Sequence, residues 1–138
     1  MQDEETIRRK LKKSGLRINF RAVVATPSRV GELLSDGCEM IHYVGHGDGE
    51  CLSFESDNDL QCGVMESLEA NALGDLFRSK HARTKLVVIS SCSSESCGNA
   101  FVKAGVPHVV AIRAGESVTG KGVGIYVQLP YFVALNDD

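Results

Sequence analysis

Two short apolar runs, each ending on a reactive side chain set among small residues, constrain this chain more than anything else in it. Met40-Ile41-His42-Tyr43-Val44 leads into Gly45-His46-Gly47-Asp48, and Leu86-Val87-Val88-Ile89 leads into Ser90-Ser91-Cys92-Ser93-Ser94. Runs of this length, rich in β-branched residues and apolar at successive rather than alternate positions, describe strands buried on both faces. Such strands belong to parallel sheets with helices on either side. If the two lie side by side and point the same way, the imidazole of His46 and the thiol of Cys92 share one edge of one sheet.

The rest of the chain supplies the elements such a sheet needs. Residues 3–13 read as a helix, with Asp3 as cap, acids in its first turn and bases in its last. Residues 16–25 read as a strand running into a core. Val30, Leu33 and Leu34 suit a short helix ending near Gly37, and Cys51–Phe54 a short strand. Leu68, Ala72, Leu73, Leu76 and Phe77 fall on one helical face, although Gly74 within it costs about 1 kcal/mol relative to Ala. Cys97, Ala100, Phe101 and Ala104 have helix spacing, with Gly105 as a C-terminal stop. Val106–Ile112 reads as another buried strand. In Gly120–Leu135 the glycines and Pro130 disfavour a regular helix, while Val123, Tyr126, Val127, Tyr131 and Leu135 keep roughly helical spacing. This order predicts an α/β fold in a single domain over residues 1–138, with a mostly parallel central sheet between two helical layers.

Composition narrows the function classes. A net charge of −3 gives no nucleic-acid surface. The basic cluster Arg8, Arg9, Lys10, Lys12 and Lys13 reads as the solvated face of a helix, a polyanion site being the alternative. No apolar run approaches the ~20 residues that span a bilayer, and no secretory segment follows Met1, so no membrane role is expected. The five cysteines, Cys38, Cys51, Cys62, Cys92 and Cys97, are odd in number and irregularly spaced. They form no Cys-x-x-Cys pair, zinc knuckle or disulfide framework, which suits free thiols in a cytoplasmic, reducing compartment. Asp57–Asp59 lack the spacing of a calcium loop and read as solvated surface. No metal or organic cofactor is expected.

In open parallel sheets the ligand crevice lies outside the carboxyl ends of the strands, where His46 and Cys92 are expected. A thiol beside an imidazole is the arrangement of a nucleophile and its base. The N–H of Gly47, or of Cys92 itself, would be placed to donate to an oxyanion. Ser93, Ser94 and Glu95 lead into the helix of residues 96–104, whose positive end favours thiolate. Spacing alone leaves a second reading open, in which Cys92 is a small apolar residue at a strand end and His46 a hydrogen-bonded loop histidine.

His46-Gly47 after an apolar strand resembles the histidine motif of caspase-like peptidases, a fold shared with separase, legumain and gingipain. Val88-Ile89-Ser90-Ser91-Cys92-Ser93-Ser94, followed by Gly98-Asn99-Ala100-Phe101-Val102-Lys103-Ala104-Gly105-Val106-Pro107-His108-Val109-Val110-Ala111, is similar to the CHAT-domain branch of that clan. The resemblance covers roughly residues 38–135. It implies a three-layer caspase-like fold, apparently truncated at both ends, with the sheet short of a strand or open at an edge. It further implies a cysteine endopeptidase in which His46 is the general base and Cys92 the nucleophile. Its partners would be a protein or peptide substrate and regulatory flanking domains or proteins. Ser90, Arg113 and Glu116 would lie near the substrate, Arg113 favouring an acidic residue before the cut and Glu116 a basic one.

Two other functions fit the same residues. One is a silent regulatory or scaffolding module that keeps the fold as a platform. The other is a thiol redox domain using Cys92 and Cys97, although Cys97 shares the apolar helix face with Ala100 and Phe101. His42 reads as packed and hydrogen-bonded, His81 and His108 as structural or solvated, and Asp48 as a loop cap that alternatively orients His46.

Overall fold

The computed structural model describes residues 2–58, 60, 63–80, 83–113, 115–116 and 131–137. Its elements follow in the order α1 (Gln2–Ser14), β1 (Ile18–Val24), α2 (Pro27–Ser35), β2 (Met40–Val44), β3 (Cys51–Glu55), β4 (Met65–Glu69), α3 (Ala70–Ser79), β5 (Leu86–Ser90), α4 (Glu95–Lys103), β6 (His108–Val110) and β7 (Tyr131–Asp137). The fold is α/β. Five strands form one sheet in the order β1-β7-β2-β5-β6, and β3 and β4 form a separate hairpin. β2, β5 and β6 are parallel neighbours, whereas β7 runs antiparallel to both β1 and β2. Four of the five strands therefore point the same way.

Alternation along the strands sorts the two faces. Ile41 and Tyr43 of β2, with Val87 and Ile89 of β5, turn into one core with Val30, Leu33 and Leu34 of α2, Leu73 and Phe77 of α3, and Cys97 and Phe101 of α4. The rings of Phe77 and Phe101 lie 4.6 Å apart at the centre of the α3–α4 contact. Val23 of β1 packs against this same core. Phe20 has the opposite parity, is buried, and lies 4.9 Å beneath the guanidinium of Arg8 from α1. Helices thus cover both faces, three on one and α1 on the other.

Local chemistry accounts for the element ends. Thr26 caps α2 by accepting from the N–H of Arg29 (3.3 Å), and Pro27 occupies the first turn, where no donor is needed. Asp57 adds a second cap, accepting from the Ser28 N–H (3.1 Å) and the Ser28 hydroxyl (2.5 Å). Those hydrogen bonds hold its carboxyl below the usual range. Gly105 follows α4 at φ +100, the left-handed backbone that favours glycine.

Three expectations are corrected. Leu68 belongs to β4, not to the helix that follows, because the Met65–Glu69 backbone pairs with β3. The strand expected over Val106–Ile112 is only His108–Val110. The helical spacing of Tyr131 and Leu135 belongs to a strand, β7, inserted between β1 and β2. Val123, Tyr126, Val127 and Pro130 lie outside the described residues, as do Asp59, Cys62 and His81.

Gly74 and Gly98 let α3, α4 and the sheet approach closely. A Cβ at Gly74 would stand 3.2 Å from the Ala100 carbonyl, and one at Gly98 2.9 Å from Cβ of Ala111. Gly98→Ala sets a helix-propensity gain of about 1 kcal/mol against an overpacking cost of about 1–3 kcal/mol. A net loss of about 1 kcal/mol is expected from urea unfolding; a stabilised variant would mean that α4 is free to shift outward.

Candidate active site

The site rests on the pairing of β2 with β5. Their parallel register matches Met40 with Leu86 and Val44 with Ser90, and the Gly45 N–H donates to the Ser90 carbonyl at 3.3 Å, one step past the strand end. The same offset separates His46 from Cys92. Both residues therefore leave the sheet at its carboxyl edge, from adjacent strands, as the sequence led one to expect. His46 is exposed and Cys92 half-buried.

The histidine loop is pinned through its backbone. The His46 carbonyl accepts from the Ser53 N–H (2.9 Å), and the buried Tyr43 hydroxyl donates to Ser53 O (2.7 Å) with His46 O also in range (3.0 Å). Burial of Tyr43 pushes its hydroxyl pKa up, so it remains a donor. Asp48 Oδ1 accepts from the Cys51 N–H at 3.1 Å, so its carboxylate shapes the loop. Gly47 forms an isolated bridge with Leu52, whose two hydrogen bonds join the flanking residues, Ser53 to His46 and Asp48 to Cys51. That pattern turns the Gly47 N–H away from the hairpin.

The two loops touch. A Cβ built on Gly47 would lie 2.6 Å from Ser91 Oγ and 2.8 Å from the Cys51 carbonyl, and one on Gly49 would reach Ser93 O at 4.0 Å. Only a glycine lets the histidine loop lie this close to the strand that carries Cys92. Ser91 is 1% exposed, and its hydroxyl has no hydrogen-bond partner among the described residues.

The serines around Cys92 organise a third loop. Ser93 adopts φ +48, a left-handed conformation that costs a non-glycine residue about 1 kcal/mol or more. In that pose its N–H donates to the Glu116 carbonyl (2.9 Å) and its hydroxyl accepts from the Gly115 N–H (3.1 Å). Ser94 Oγ accepts from the Ile112 N–H at 3.0 Å. These bonds hold the exposed residues Arg113 and Glu116 beside the cysteine turn, and a Glu116 N–H to Arg113 O bond (3.0 Å) closes the loop on itself. The run of serines in the sequence was the only hint of this clamp.

Ser90 and His42 form a separate pair, with His42 Nε2 and Ser90 Oγ 2.8 Å apart on the sheet face opposite the main core. Ser90 is thus engaged with β2 through both its hydroxyl and its carbonyl. Burial lowers the His42 pKa. Cys97 is 0% exposed in the core, and burial raises its thiol to about 11, the opposite of what a redox-active thiol needs. Cys38 is likewise buried and its thiol pushed up by desolvation. Cys38, Cys51, Cys92 and Cys97 are all free thiols. No group of three or more metal-ligating side chains occurs among the described residues, and no helix among them is long and apolar enough to cross a membrane.

Comparison with known protein families, with curated proteins and with solved structures finds no match to this chain.

Two outcomes follow from this geometry. Gly47→Ala is expected to destabilise the fold by about 1–3 kcal/mol through overpacking, whereas Ser91→Ala, which removes an unsatisfied buried hydroxyl, is expected to be neutral or stabilising by about 1 kcal/mol. Urea unfolding of both variants checks this, and a Ser91→Ala variant clearly less stable than the parent would show that the hydroxyl has a partner. The second concerns His42. Its folded pKa lies below 6.5, so the unfolded state binds the extra proton first as pH falls. Stability should therefore drop on acidification from neutral pH through 6.5 and below, and His42→Gln should flatten that slope in urea titrations at several pH values. An identical slope in the variant would assign the dependence to other groups.

Proposed function

We propose that this chain is a cysteine endopeptidase whose dyad is Cys92 and His46. The single observation that supports the reading is the parallel β2–β5 register, with Gly47 seated against Ser91, by which residues 46 and 92 follow the ends of adjacent parallel strands. The resemblance of residues 38–135 to the CHAT branch of caspase-like peptidases supports it. In the first step His46 takes the thiol proton, and the Cys92 sulfur attacks the scissile carbonyl carbon. The resulting oxyanion is met by the N–H of Gly47 or of Cys92. Collapse breaks the C–N bond, His46 protonates the departing amine, and a thioester remains. Water, deprotonated by His46, then attacks the thioester and releases the acid and the thiol. The nucleophile, the base and the oxyanion donor of this cycle all belong to the chain itself. Arg113 and Glu116, held by Ser93, are the residues that would meet the substrate side chain before the cut.

The test is a peptide carrying an electrophilic carbonyl-derived warhead, read by mass spectrometry beside a cleavage assay. Modification at Cys92 that is lost in His46→Ala, with cleavage abolished in a folded Cys92→Ala variant, is the expected result. A loss of at least about 1000-fold in kcat is expected for Cys92→Ala. Turnover retained without the sulfur would end the proposal. A Cys92 that labels no faster than a solvent thiol, with or without His46, would favour the regulatory platform.

A further inference from the structure

At the far end of the sheet from this rim lies a second feature that the proposed chemistry does not use. β1 and β2 point the same way, so the start of β1 sits at the amino edge of the sheet, opposite His46 and Cys92. There the last turns of α1, the turn at Gly15 and residues Ile18–Phe20 enclose an open cleft of about 650 Å³. Arg8, Lys12 and Arg17 line it together with Leu11, Leu16 and Phe20, and among the described residues no carboxylate does. Eight of the fifteen Lys and Arg residues lie between Arg8 and Arg29, a stretch with no Asp or Glu, in a chain whose net charge is −3. Three of these, Arg8, Lys12 and Arg17, give the cleft a cationic lining in a chain of net negative charge. Lys12 and Arg17 have no carboxylate within salt-bridge distance among the described residues. Leu16 is 63% exposed.

The cleft also borders an open sheet edge. Among the described residues β1 is the outer strand and pairs only with β7. Two of its backbone groups bond outside the ladder: the Ile18 N–H donates to Leu16 O (3.1 Å), and Phe20 O accepts from Arg8 Nη1 at 3.5 Å. In an antiparallel ladder both groups of a residue face the same side, so Ile18, Phe20 and Ala22 turn their N–H and C=O groups outward. The Arg8 bond is at the limit of useful length.

We propose that this cleft is a docking site for an extended, acidic polypeptide segment that adds a strand to the edge of β1. Its carboxylates would pair with Lys12 and Arg17, its backbone with the Ile18 carbonyl and the outward groups of Phe20 and Ala22, and its apolar side chains with Leu16 and Leu11. A polypeptide fits better than the other anionic partners. Nucleic acid would find no stacking platform among the described residues, since Phe20, the one aromatic ring among them in the lining, is 6% exposed and lies under Arg8. A membrane surface would find, among the described residues, only Ile7 and Leu16 as exposed large apolar side chains on this flank, too little to insert. Neither offers a backbone to an open strand edge. The proposal is independent of the peptidase reading.

The test uses a fluorescein-labelled peptide of about ten residues alternating Glu and Val, with anisotropy measured on the full chain. Saturable binding that weakens with salt is expected, and Lys12→Glu with Arg17→Glu should weaken it at least about tenfold while Lys103→Glu leaves it unchanged. Circular dichroism monitors the fold, and Lys12→Gln alone, expected to weaken binding about threefold, serves if the double variant unfolds. Two further peptides, N-methylated on one or the other alternate set of residues, read the strand pairing directly. One set should lose at least about tenfold in affinity and the other little, because an added edge strand uses only alternate N–H groups. Equal binding by the two sets, whether kept or lost, overturns strand addition. Absence of saturable binding, or tighter binding of oligothymidylate or of phosphatidylserine vesicles, overturns the choice of partner.

Discussion

The in-register, parallel pairing of β2 with β5 is the constraint on which the rest of this structure depends. Side chains alternate along each strand, so this register alone turns Ile41, Tyr43, Val87 and Ile89 together towards α2, α3 and α4. A slip of one residue would push His42 or Val88 into that core and expose its apolar side chains. Burial therefore enforces the register, and the register decides which residues leave the sheet side by side. The arrangement of residues at the carboxyl edge is a consequence of packing several residues away.

Close approach at that edge is bought with small residues. Gly47 has no side chain to hold the histidine loop off Ser91, and three other serines at the end of β5 and just after it each bind something different. Ser90 meets His42, Ser93 holds the backbone at Gly115 and Glu116, and Ser94 spans from α4 to Ile112. The left-handed pose of Ser93 costs energy, and its bonds to the 113–116 loop offset that cost. A proposed specificity loop and a proposed nucleophile are thereby tied to the same turn. The opposite edge of the sheet is built on other terms, with a cationic lining, an open strand and exposed Leu16.

What could be read from the chain in advance follows from how local each signal is. The strands at Met40–Val44 and Leu86–Ser90 are short, apolar and β-branched, and their ends at Gly45 and Ser91 are chemically abrupt, so both elements and the placing of His46 and Cys92 were legible. Leu68 was misassigned because β4 is largely exposed and carries no apolar alternation; it is a strand only because its backbone pairs with β3. Tyr131 and Leu135, four apart, suit a helix face as well as a strand face. The serines at 91, 93 and 94 gave no readable role, because a hydroxyl's role is set by whichever donor or acceptor the fold brings near it.

By itself the sequence determined where most elements begin and end, which of their faces are apolar, that the sheet is α/β in type, and that an imidazole and a thiol each close a buried strand. Tertiary structure alone decided that β2 and β5 are neighbours, that β7 enters antiparallel between β1 and β2, that Ser93 grips a loop more than twenty residues away, and that a basic helix end borders an open edge. The reason is one of range. Periodicity and capping act among residues within a turn or two of each other. Strand order and loop contacts are settled by competition among partners distant in the chain, and only the burial of the whole core decides between them.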